Sequence, residues 1–255
     1  PAYVASRRGR EPEPEARQAL TAAQAASDWA AALAAAEVGP PRGPVVTIRL
    51  AYLRALALKS LGRPRESAPV YLDAAQAARR IGWLRRACGA YAQAGQTARA
   101  IGDLRAAEEA WRASLETARQ LEHDLDTANA LLSLGITERA RGRPEAALRS
   151  YEQALDLFRR LDAKAQIAWT LHNLGNVRQA GGELDVALAL FRESAAWFEA
   201  IDDGRGLSSA LASQGRVLGR QGELAQALQC LERSLRLRIE GGDTAAAART
   251  SNGIG

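Results

Sequence analysis

The sequence predicts an all-α protein built from repeated antiparallel helix pairs, on three observations. Glycines recur forty residues apart, at Gly62, Gly102, Gly142, Gly182 and Gly222. Each glycine is followed at fixed distances by a small, a large apolar and a second small residue. Each period also holds two stretches with helical hydrophobic spacing. A fixed period of about 20–50 residues is typical of solenoids, so the repeat decides the fold class.

The repeated positions follow one order in every copy. Five residues after the marker glycine comes the small residue, and the large apolar residue and second small residue follow. The small residues are Ser67, Ala107, Ala147, Ala187 and Ala227; the large ones are Tyr71, Trp111, Tyr151, Phe191 and Leu231; the second small ones are Ala74, Ser114, Ala154, Ser194 and Ser234. Seven residues before the marker stand Ala55, Gly95, Gly135, Gly175 and Gly215.

Each period predicts a helix A and a helix B, as the third copy illustrates. Leu131, Leu134 and Gly135 share one face of helix A, and Ala147 and Tyr151 share one face of helix B. We expect Gly135 to lie opposite Ala147, so that the two backbones approach closely. Tyr151 is then expected to fill the space towards the next unit.

The turn between the two helices is predicted from Gly142-Arg143-Pro144. Gly142 suits the left-handed backbone conformation that ends a helix. Pro144 suits the first turn of helix B, where no backbone donor is needed. One such hairpin cannot bury its apolar face alone, so neighbouring copies are expected to stack.

These motifs resemble the tetratricopeptide repeat. The resemblance covers about residues 45–255, as five repeats and a truncated sixth helix A, and implies a right-handed superhelical solenoid. The forty-residue period is similar to the long variant of kinesin-light-chain-like proteins and of the sensor regions of bacterial signalling ATPases and transcription regulators. The family's early Trp of helix A is replaced by Leu131, Leu171 and Leu211.

The ends of the chain are less regular. Residues 1–15 are charged and Pro-rich and are predicted to be extended or disordered, and residues 16–44 to form a divergent hairpin with a Pro/Gly linker. TSNGIG at the end aligns with TLHNLG at residues 170–175, and the sequence contains no Met. We therefore expect a piece of a longer protein, whose sixth helix A exposes apolar surface and favours end-to-end self-association.

Charge and composition narrow the function class. The formal net charge is +5 and the isoelectric point about 9.7, and the basic residues are spread along the sequence and mixed with Glu and Asp. Such a pattern favours solvated helix surfaces, and a nucleic-acid partner is not expected. Cys88 and Cys230 lack metal-ligand spacing and are predicted to be reduced and buried, as in a cytoplasmic protein. No apolar run is long enough to predict a membrane span.

The residues that vary between copies are the binding candidates. In tetratricopeptide proteins the face of helix A opposite its packing residues is concave. The resemblance therefore implies a groove lined by Gln96, Arg99, Asn129, Arg139, Trp169, His172, Asn173, Asn176, Gln179, Ser209, Ser213 and Arg216. Because amides both donate and accept hydrogen bonds, Asn173 and Asn176 are predicted to bind a peptide backbone, with Trp169 as an apolar platform. The alternative is that this face is polar only for solubility.

Two sharper hypotheses concern charge. Lys59, Arg99 and Arg139 form a ladder at forty-residue spacing, which favours an acidic partner. Its alternative is that long side chains cover neighbouring helices. Some members of the family clamp the carboxylate of chaperone tails with Lys, Asn and Arg on successive A helices. Here Ser209 and Ser213 stand where the basic partners are needed, so this clamp is not expected.

No catalytic motif is found. The sequence lacks a phosphate-binding Gly-rich loop, a His-Glu-x-x-His helix and a Cys pair at zinc spacing. His172 has no acidic or Cys partner one helical turn away and is predicted to be a hydrogen-bonding residue. We therefore predict neither catalysis nor a cofactor or metal.

The predicted function is that of a non-catalytic scaffold whose groove binds a peptide, a protein segment or another domain of the same chain. The alternative is the sensor region of a bacterial signalling ATPase or transcription regulator, acting on its own effector domain. RNA binding by the groove is a third possibility, but the sequence lacks the interleaved basic and aromatic residues that it needs.

Overall fold

The computed structural model describes residues 28–30 and 43–243. Ten helices make up residues 43–243, and no described residue lies in a strand. They are α1 (Pro44–Ser60), α2 (Pro64–Arg80), α3 (Leu84–Ala100), α4 (Leu104–Gln120), α5 (Asp124–Ala140), α6 (Pro144–Arg160), α7 (Lys164–Ala180), α8 (Leu184–Ala200), α9 (Gly204–Gln221) and α10 (Leu224–Glu240). The predicted all-α class is confirmed.

Helices begin every twenty residues, so each forty-residue period is one helix pair. The A helices are α1, α3, α5, α7 and α9, and the B helices are α2, α4, α6, α8 and α10. Short turns join consecutive helices, which pack side by side in antiparallel pairs. The arrangement is that of a tetratricopeptide-like helical solenoid.

The two kinds of turn share one backbone conformation, but only the turns within periods always use glycine. Within the third period, Gly142 ends α5 with φ of 73°, as predicted. Between periods the corresponding residues are Glu122, Asp162 and Asp202, with φ of 52°, 49° and 54°, besides two glycines, Gly82 and Gly242, with φ of 74° and 72°. Asp203 follows and caps α9 by accepting a 2.8 Å hydrogen bond from the amide of Gly206. The Asp203 carboxylate in this turn therefore acts in capping.

The contact made by the glycine of helix A differs from the expectation. A Cβ atom at Gly135 would lie 2.6 Å from the ring of Tyr151, in the same repeat. The same distance separates a Cβ at Gly175 from the Phe191 ring. The prediction did not foresee that the Tyr151 ring covers Gly135. The predicted approach of the small residue is seen in the fifth repeat, where a Cβ at Gly215 would lie 3.1 Å from the backbone oxygen of Ala227. In the second to fifth repeats, each large apolar side chain lies on the glycine of its own hairpin.

The second small position also has a clear role. Ser114, Ser194 and Ser234 on B helices donate hydrogen bonds to backbone carbonyls of the preceding A helix. The distances to the carbonyl oxygens of Cys88, Ala168 and Ser208 are 3.3, 2.8 and 2.7 Å. A small side chain lets the helices approach, and its buried hydroxyl finds the partner that burial demands.

The chain divides into two compact units, residues 1–130 and 131–255, with the boundary inside α5. In the first unit, Ile48, Ala75, Ala87 and Tyr91 belong to a buried core. In the second unit, one core cluster gathers buried residues of α7, α8 and α9 around Phe198.

Several expectations fall outside the described residues. These are the N-terminal segment 1–15, nearly all of the hairpin and linker at 16–44, and the sixth helix A after residue 243. Pro44 itself is the first residue of α1. Within the described ranges, no helix has the length and apolar character needed to cross a bilayer.

The two cysteines are free thiols with different exposure. Cys88 is buried as predicted, whereas Cys230 is only half-buried. Burial raises the pKa of both thiols, so both are protonated at neutral pH.

Candidate functional site

Helix α7 presents four candidate residues on one side. Trp169, His172, Asn173 and Asn176 are spaced as neighbours on one helical face and are each half-buried. The opposite side buries Leu171, Leu174 and other apolar residues in the core. Helical periodicity thus places the four polar and aromatic side chains together, as the sequence predicts.

A chain of hydrogen bonds joins α7 to α9. Asn176 Nδ2 lies 3.3 Å from His172 Nδ1, and His172 Nε2 lies 3.1 Å from Ser213 Oγ. Since an amide nitrogen only donates, His172 Nδ1 accepts and its Nε2 carries the hydrogen given to Ser213. Arg216 Nη2 donates to the same hydroxyl over 2.8 Å. We term Trp169, His172, Asn176, Ser213 and Arg216 the α7–α9 cluster.

Aromatic contacts hold the imidazole in place. His172 meets Trp169 edge to face with ring centroids 5.9 Å apart, and it tilts over Phe191 at 5.3 Å. Burial and, to a lesser extent, the positive charges of Arg216 and Arg139 lower the pKa of His172 to about 4, against a hydrogen bond with the backbone of Ser209 that raises it. The imidazole is therefore neutral at physiological pH and serves as a fixed link in the network.

The cluster leaves specific groups for a ligand. The side-chain oxygen of Asn176 accepts no hydrogen bond from any described residue. The side-chain amide of Asn173 donates one hydrogen bond to the Trp169 carbonyl oxygen, at 2.9 Å. Ser213 is buried, with 1% of its surface exposed, and so acts by holding His172 and Arg216. Arg216 is exposed and uses one of its five N–H groups on Ser213.

The remaining candidates of the second unit lie around this cluster. Arg139 is exposed near the end of α5. Gln179 accepts a 3.3 Å hydrogen bond from Arg220 through its backbone oxygen. Ser209 donates its hydroxyl to the Arg205 carbonyl oxygen at 3.0 Å, so that proton is already used within α9.

In the first unit, Lys59 donates to the side-chain oxygens of Gln93 at 3.1 Å and Gln96 at 3.2 Å. Lys59 is thus held by amides, and Gln96 belongs to this contact. Arg99 and Asn129 are exposed. The structure therefore brings Lys59 and Gln96 together.

A further cluster of the first unit was missed by sequence reasoning. The Arg86 guanidinium carbon lies 4.9 Å from the Tyr52 ring centroid and 5.2 Å from that of Trp83. Arg49 lies 5.6 Å from the Trp83 centroid. We term Arg49, Tyr52, Trp83 and Arg86 the α1–α3 cluster. A signal exists in the sequence, because Arg49 and Tyr52 precede Trp169 and His172 by three periods of forty residues.

Charge divides by helix type, contrary to the expectation that bases and acids are mixed. The five B helices hold 13 Lys and Arg and 13 Asp and Glu residues. The five A helices hold 12 Lys and Arg and only 3 Asp and Glu, a net charge of +9. All three acids are on α5, so the other four A helices contain none. The positive charge of the described residues is therefore concentrated on the A helices.

The described residues contain no cluster of His, Cys, Asp and Glu that would hold a metal ion. Glu108, which is followed directly by Glu109, is buried and forms an ion pair with Arg112.

Comparison with known proteins identifies a matching family and structures of similar fold. The sequence profile of the tetratricopeptide repeat matches residues 85–160 and 166–255. No curated protein matches the sequence. The fold is similar to a kinesin-light-chain-like protein of Podosopora anserina with nearly identical TPR-like repeats, at 13% identity and a TM-score of 0.63. That match covers 78% of this chain and 98% of the other.

Two longer proteins share the fold. One is the signal transduction ATPase with numerous domains PH0952 of Pyrococcus horikoshii, which has a tetratricopeptide repeat sensor. It is 14% identical with a TM-score of 0.68, over 92% of this chain and 40% of that one. The other is the Rap conjugation gene regulator of plasmid pLS20 in complex with the Phr* peptide. It is 18% identical with a TM-score of 0.63, over 82% of this chain and 57% of that one.

Proposed function

This chain belongs to the tetratricopeptide repeat family, and we propose that it is a non-catalytic scaffold that binds a peptide or protein segment on its A helices. The observation that carries the proposal is the α7–α9 cluster. Four of its side chains, Trp169, His172, Asn176 and Arg216, differ from those at the same positions of the other repeats, so stacking does not require them. They are nevertheless held by a defined series of hydrogen bonds.

The chemistry of the cluster suits an extended backbone. Neutral His172 orients the Asn176 amide, whose oxygen stays available to accept from a peptide N–H group. Trp169 adds a half-buried ring beside this amide. Side chains fixed before binding lose little conformational entropy when a ligand arrives, which favours affinity. The Rap regulator of similar fold was solved with the Phr* peptide, and this supports a peptide as ligand here.

A selection from displayed random 12-residue peptides tests the proposal. We expect peptides that bind the chain and lose about tenfold or more in affinity when Asn173 and Asn176 are both replaced by Ala, because each lost hydrogen bond costs about 1 kcal/mol. Gln153→Ala, which removes an exposed amide from B helix α6, is the matched control and should change affinity less than twofold. Failure to select any peptide, or equal loss in both variants, would refute the proposal.

A second candidate is a sensor role in which another domain of the same polypeptide is the ligand, and we propose the cytoplasm as its compartment. The similarity to a signalling ATPase with a tetratricopeptide repeat sensor supports this candidate, and the two free thiols support the compartment. Deleting residues 43–243 from the full reading frame should then change the activity of the effector domain. An effector with unchanged activity would exclude this role.

A further inference from the structure

Helix α7 carries a histidine and an asparagine one helical turn apart, a pair that the other A helices lack. Asn176 Nδ2 lies 3.3 Å from His172 Nδ1, and both side chains are half-buried. On the other A helices the corresponding pairs are Tyr52 and Leu56, Ala92 and Gln96, Leu132 and Ile136, and Ala212 and Arg216. The contact between histidine and asparagine is therefore specific to this repeat.

The hydrogen on His172 determines which end of the Asn176 amide makes this contact. An amide nitrogen only donates, so Nδ1 of the imidazole accepts and carries no hydrogen. The hydrogen of the neutral ring is then on Nε2, which lies 3.1 Å from the buried hydroxyl of Ser213 on α9. The Asn176 nitrogen is thus turned towards the ring, and its oxygen has no donor among the described residues.

Protonation of His172 would reverse this arrangement. A doubly protonated imidazole carries a hydrogen on Nδ1, so two donors would face each other across the contact with Asn176. Half a turn of the amide restores the hydrogen bond, because its oxygen then accepts from Nδ1. The group left for a ligand changes from an acceptor oxygen to a donor NH₂.

The surroundings of His172 keep its ring neutral at pH 7. The charged groups that act on it are Arg216 from α9 and Arg139 from α5, and α8 contributes the apolar ring of Phe191 at 5.3 Å. Burial, together with these two positive charges, lowers the pKa of His172 to about 4. At neutral pH a ligand therefore meets the oxygen of Asn176.

We infer that His172 is a positioning residue that sets the specificity of the proposed site. It holds the Asn176 oxygen available, so that the site requires a backbone N–H of the ligand at this point and loses this requirement when His172 is protonated or replaced. The inference rests on the proposed peptide-binding function and specifies the group that is recognised. A proline or an N-methylated residue has no N–H and would leave the half-buried oxygen without a donor.

Nuclear magnetic resonance of the free protein tests the arrangement without a ligand. With nitrogen-labelled histidine at pH 7, we expect His172 to carry its hydrogen on Nε2 and none on Nδ1. The sequence contains two histidines, so the signals that disappear in His172→Phe belong to His172. A hydrogen on Nδ1 would overturn the inference, whether or not a peptide binds.

N-methyl groups placed in turn along one selected peptide test the recognition itself. The peptide has blocked termini and contains no Asp, Glu or His, so that only the protein titrates. We expect one N-methyl group to weaken binding to the natural protein at least tenfold, and binding to His172→Phe or Asn176→Ala less than threefold. Leu132→Phe puts the same ring at the same repeat position of α5 and should keep the tenfold effect.

The pH profile separates positioning from a merely structural role. Affinity for this peptide should be constant from pH 7 to 5.5 and fall about twofold at the midpoint of the His172 titration, as linkage requires. The N-methyl effect should shrink over the same range. Arg216→Gln removes a neighbouring positive charge, so the midpoints of titration and of affinity should both move to higher pH. Circular dichroism at each pH, and of every variant, checks that the fold persists; if His172→Phe does not fold, this profile of the natural protein decides.

The outcomes distinguish failure of the inference from failure of the proposed function. If no peptide is selected, the proposed function fails and the inference fails with it. If peptides bind but every N-methyl group has the same effect on the natural protein and on His172→Phe, the inference is overturned while peptide binding stands. If Leu132→Phe abolishes the N-methyl effect as fully as His172→Phe does, the hydrogen bond of His172 is not its cause, and the inference is overturned as well.

Discussion

The A and B helices have nearly the same length and spacing, but they differ in the packing residues and in the surface charge that they contribute to the repeat. B helices provide the large buried side chains such as Tyr151 and Phe191, together with balanced surface charge. A helices provide the glycines beneath those rings and carry the excess of positive charge. Stacking is thus secured on one side of each A helix, and its other side is free to differ between repeats. The difference indicates where a ligand would bind.

The largest expected effect comes from filling the glycine position under a B-helix ring. In Gly175→Ala the new Cβ would lie 2.6 Å from the buried Phe191 ring, so α7 and α8 must separate. We expect a loss of about 3 kcal/mol in the free energy of unfolding. Gly219→Ala on the neighbouring A helix is the control. Its Cβ would meet nothing within 4 Å, and removing a helical glycine should stabilise by about 0.5–1 kcal/mol. Urea denaturation measures both, and effects of the same sign would contradict the packing described here.

The next effect is a pH dependence of stability that comes from the α7–α9 cluster on the A helices. The pKa of His172 is about 4 in the folded protein, against about 6.5 in an unfolded chain. Because the folded pKa is the lower one, the unfolded state binds the proton first as the pH falls. Stability should therefore be unaffected by this group above pH 6.5 and decrease between pH 6.5 and 4, by about 2 kcal/mol after allowance for partial exposure.

His172→Gln removes this titration while it keeps hydrogen-bonding groups. Unfolding free energies at pH 7, 5 and 4 should decrease more in the natural protein than in the variant, since carboxylate titrations are common to both. Parallel curves would show that His172 titrates normally. Nuclear magnetic resonance of the two histidines in the sequence gives the pKa directly.

The fold was predictable because its signals are local. Gly142, Pro144 and the spacing of apolar residues determine where helices begin and end, and the forty-residue period repeats those signals. The partner of Gly135 was not predictable, because it depends on how α5 and α6 rotate against each other. Sequence placed both Ala147 and Tyr151 on the packing face, and only the structure shows that the ring covers the glycine.

The candidate site was predictable in part for the same reason. Helical spacing puts Trp169, His172 and Asn176 on one face of α7. It does not show that Ser213 of α9 is buried beneath His172, because that depends on the distance between the two helices. Arg49 was missed because its role depends on its distance to the Trp83 ring, which lies outside its own helix.

A smaller effect on stability is expected from substitutions in the turns, and it differs between the turns within repeats and those between repeats. Gly142 has φ of 73° and open space around a Cβ, so Gly142→Ala introduces backbone strain alone. We expect a cost of about 1 kcal/mol. Asp162 already adopts φ of 49° between repeats, so Asp162→Gly should change stability by less than about 0.5 kcal/mol in either direction. Thermal melting of the two variants gives the comparison, which fails if Asp162→Gly has the larger effect.

The smallest effect concerns the ion pairs of the B helices. Arg159 and Glu193 lie 3.0 Å apart with side chains 50% and 44% exposed, so water and salt screen their attraction. A double-mutant cycle with Arg159→Ala and Glu193→Ala should give a coupling energy below about 0.5 kcal/mol. Such a value would mean that stability does not explain the balanced charge of the B helices. Balance on one helix type and excess on the other would then reflect which surface must attract a partner. A coupling above about 1.5 kcal/mol would instead assign the B-helix charges to holding repeats together, and the charge contrast would lose its functional meaning.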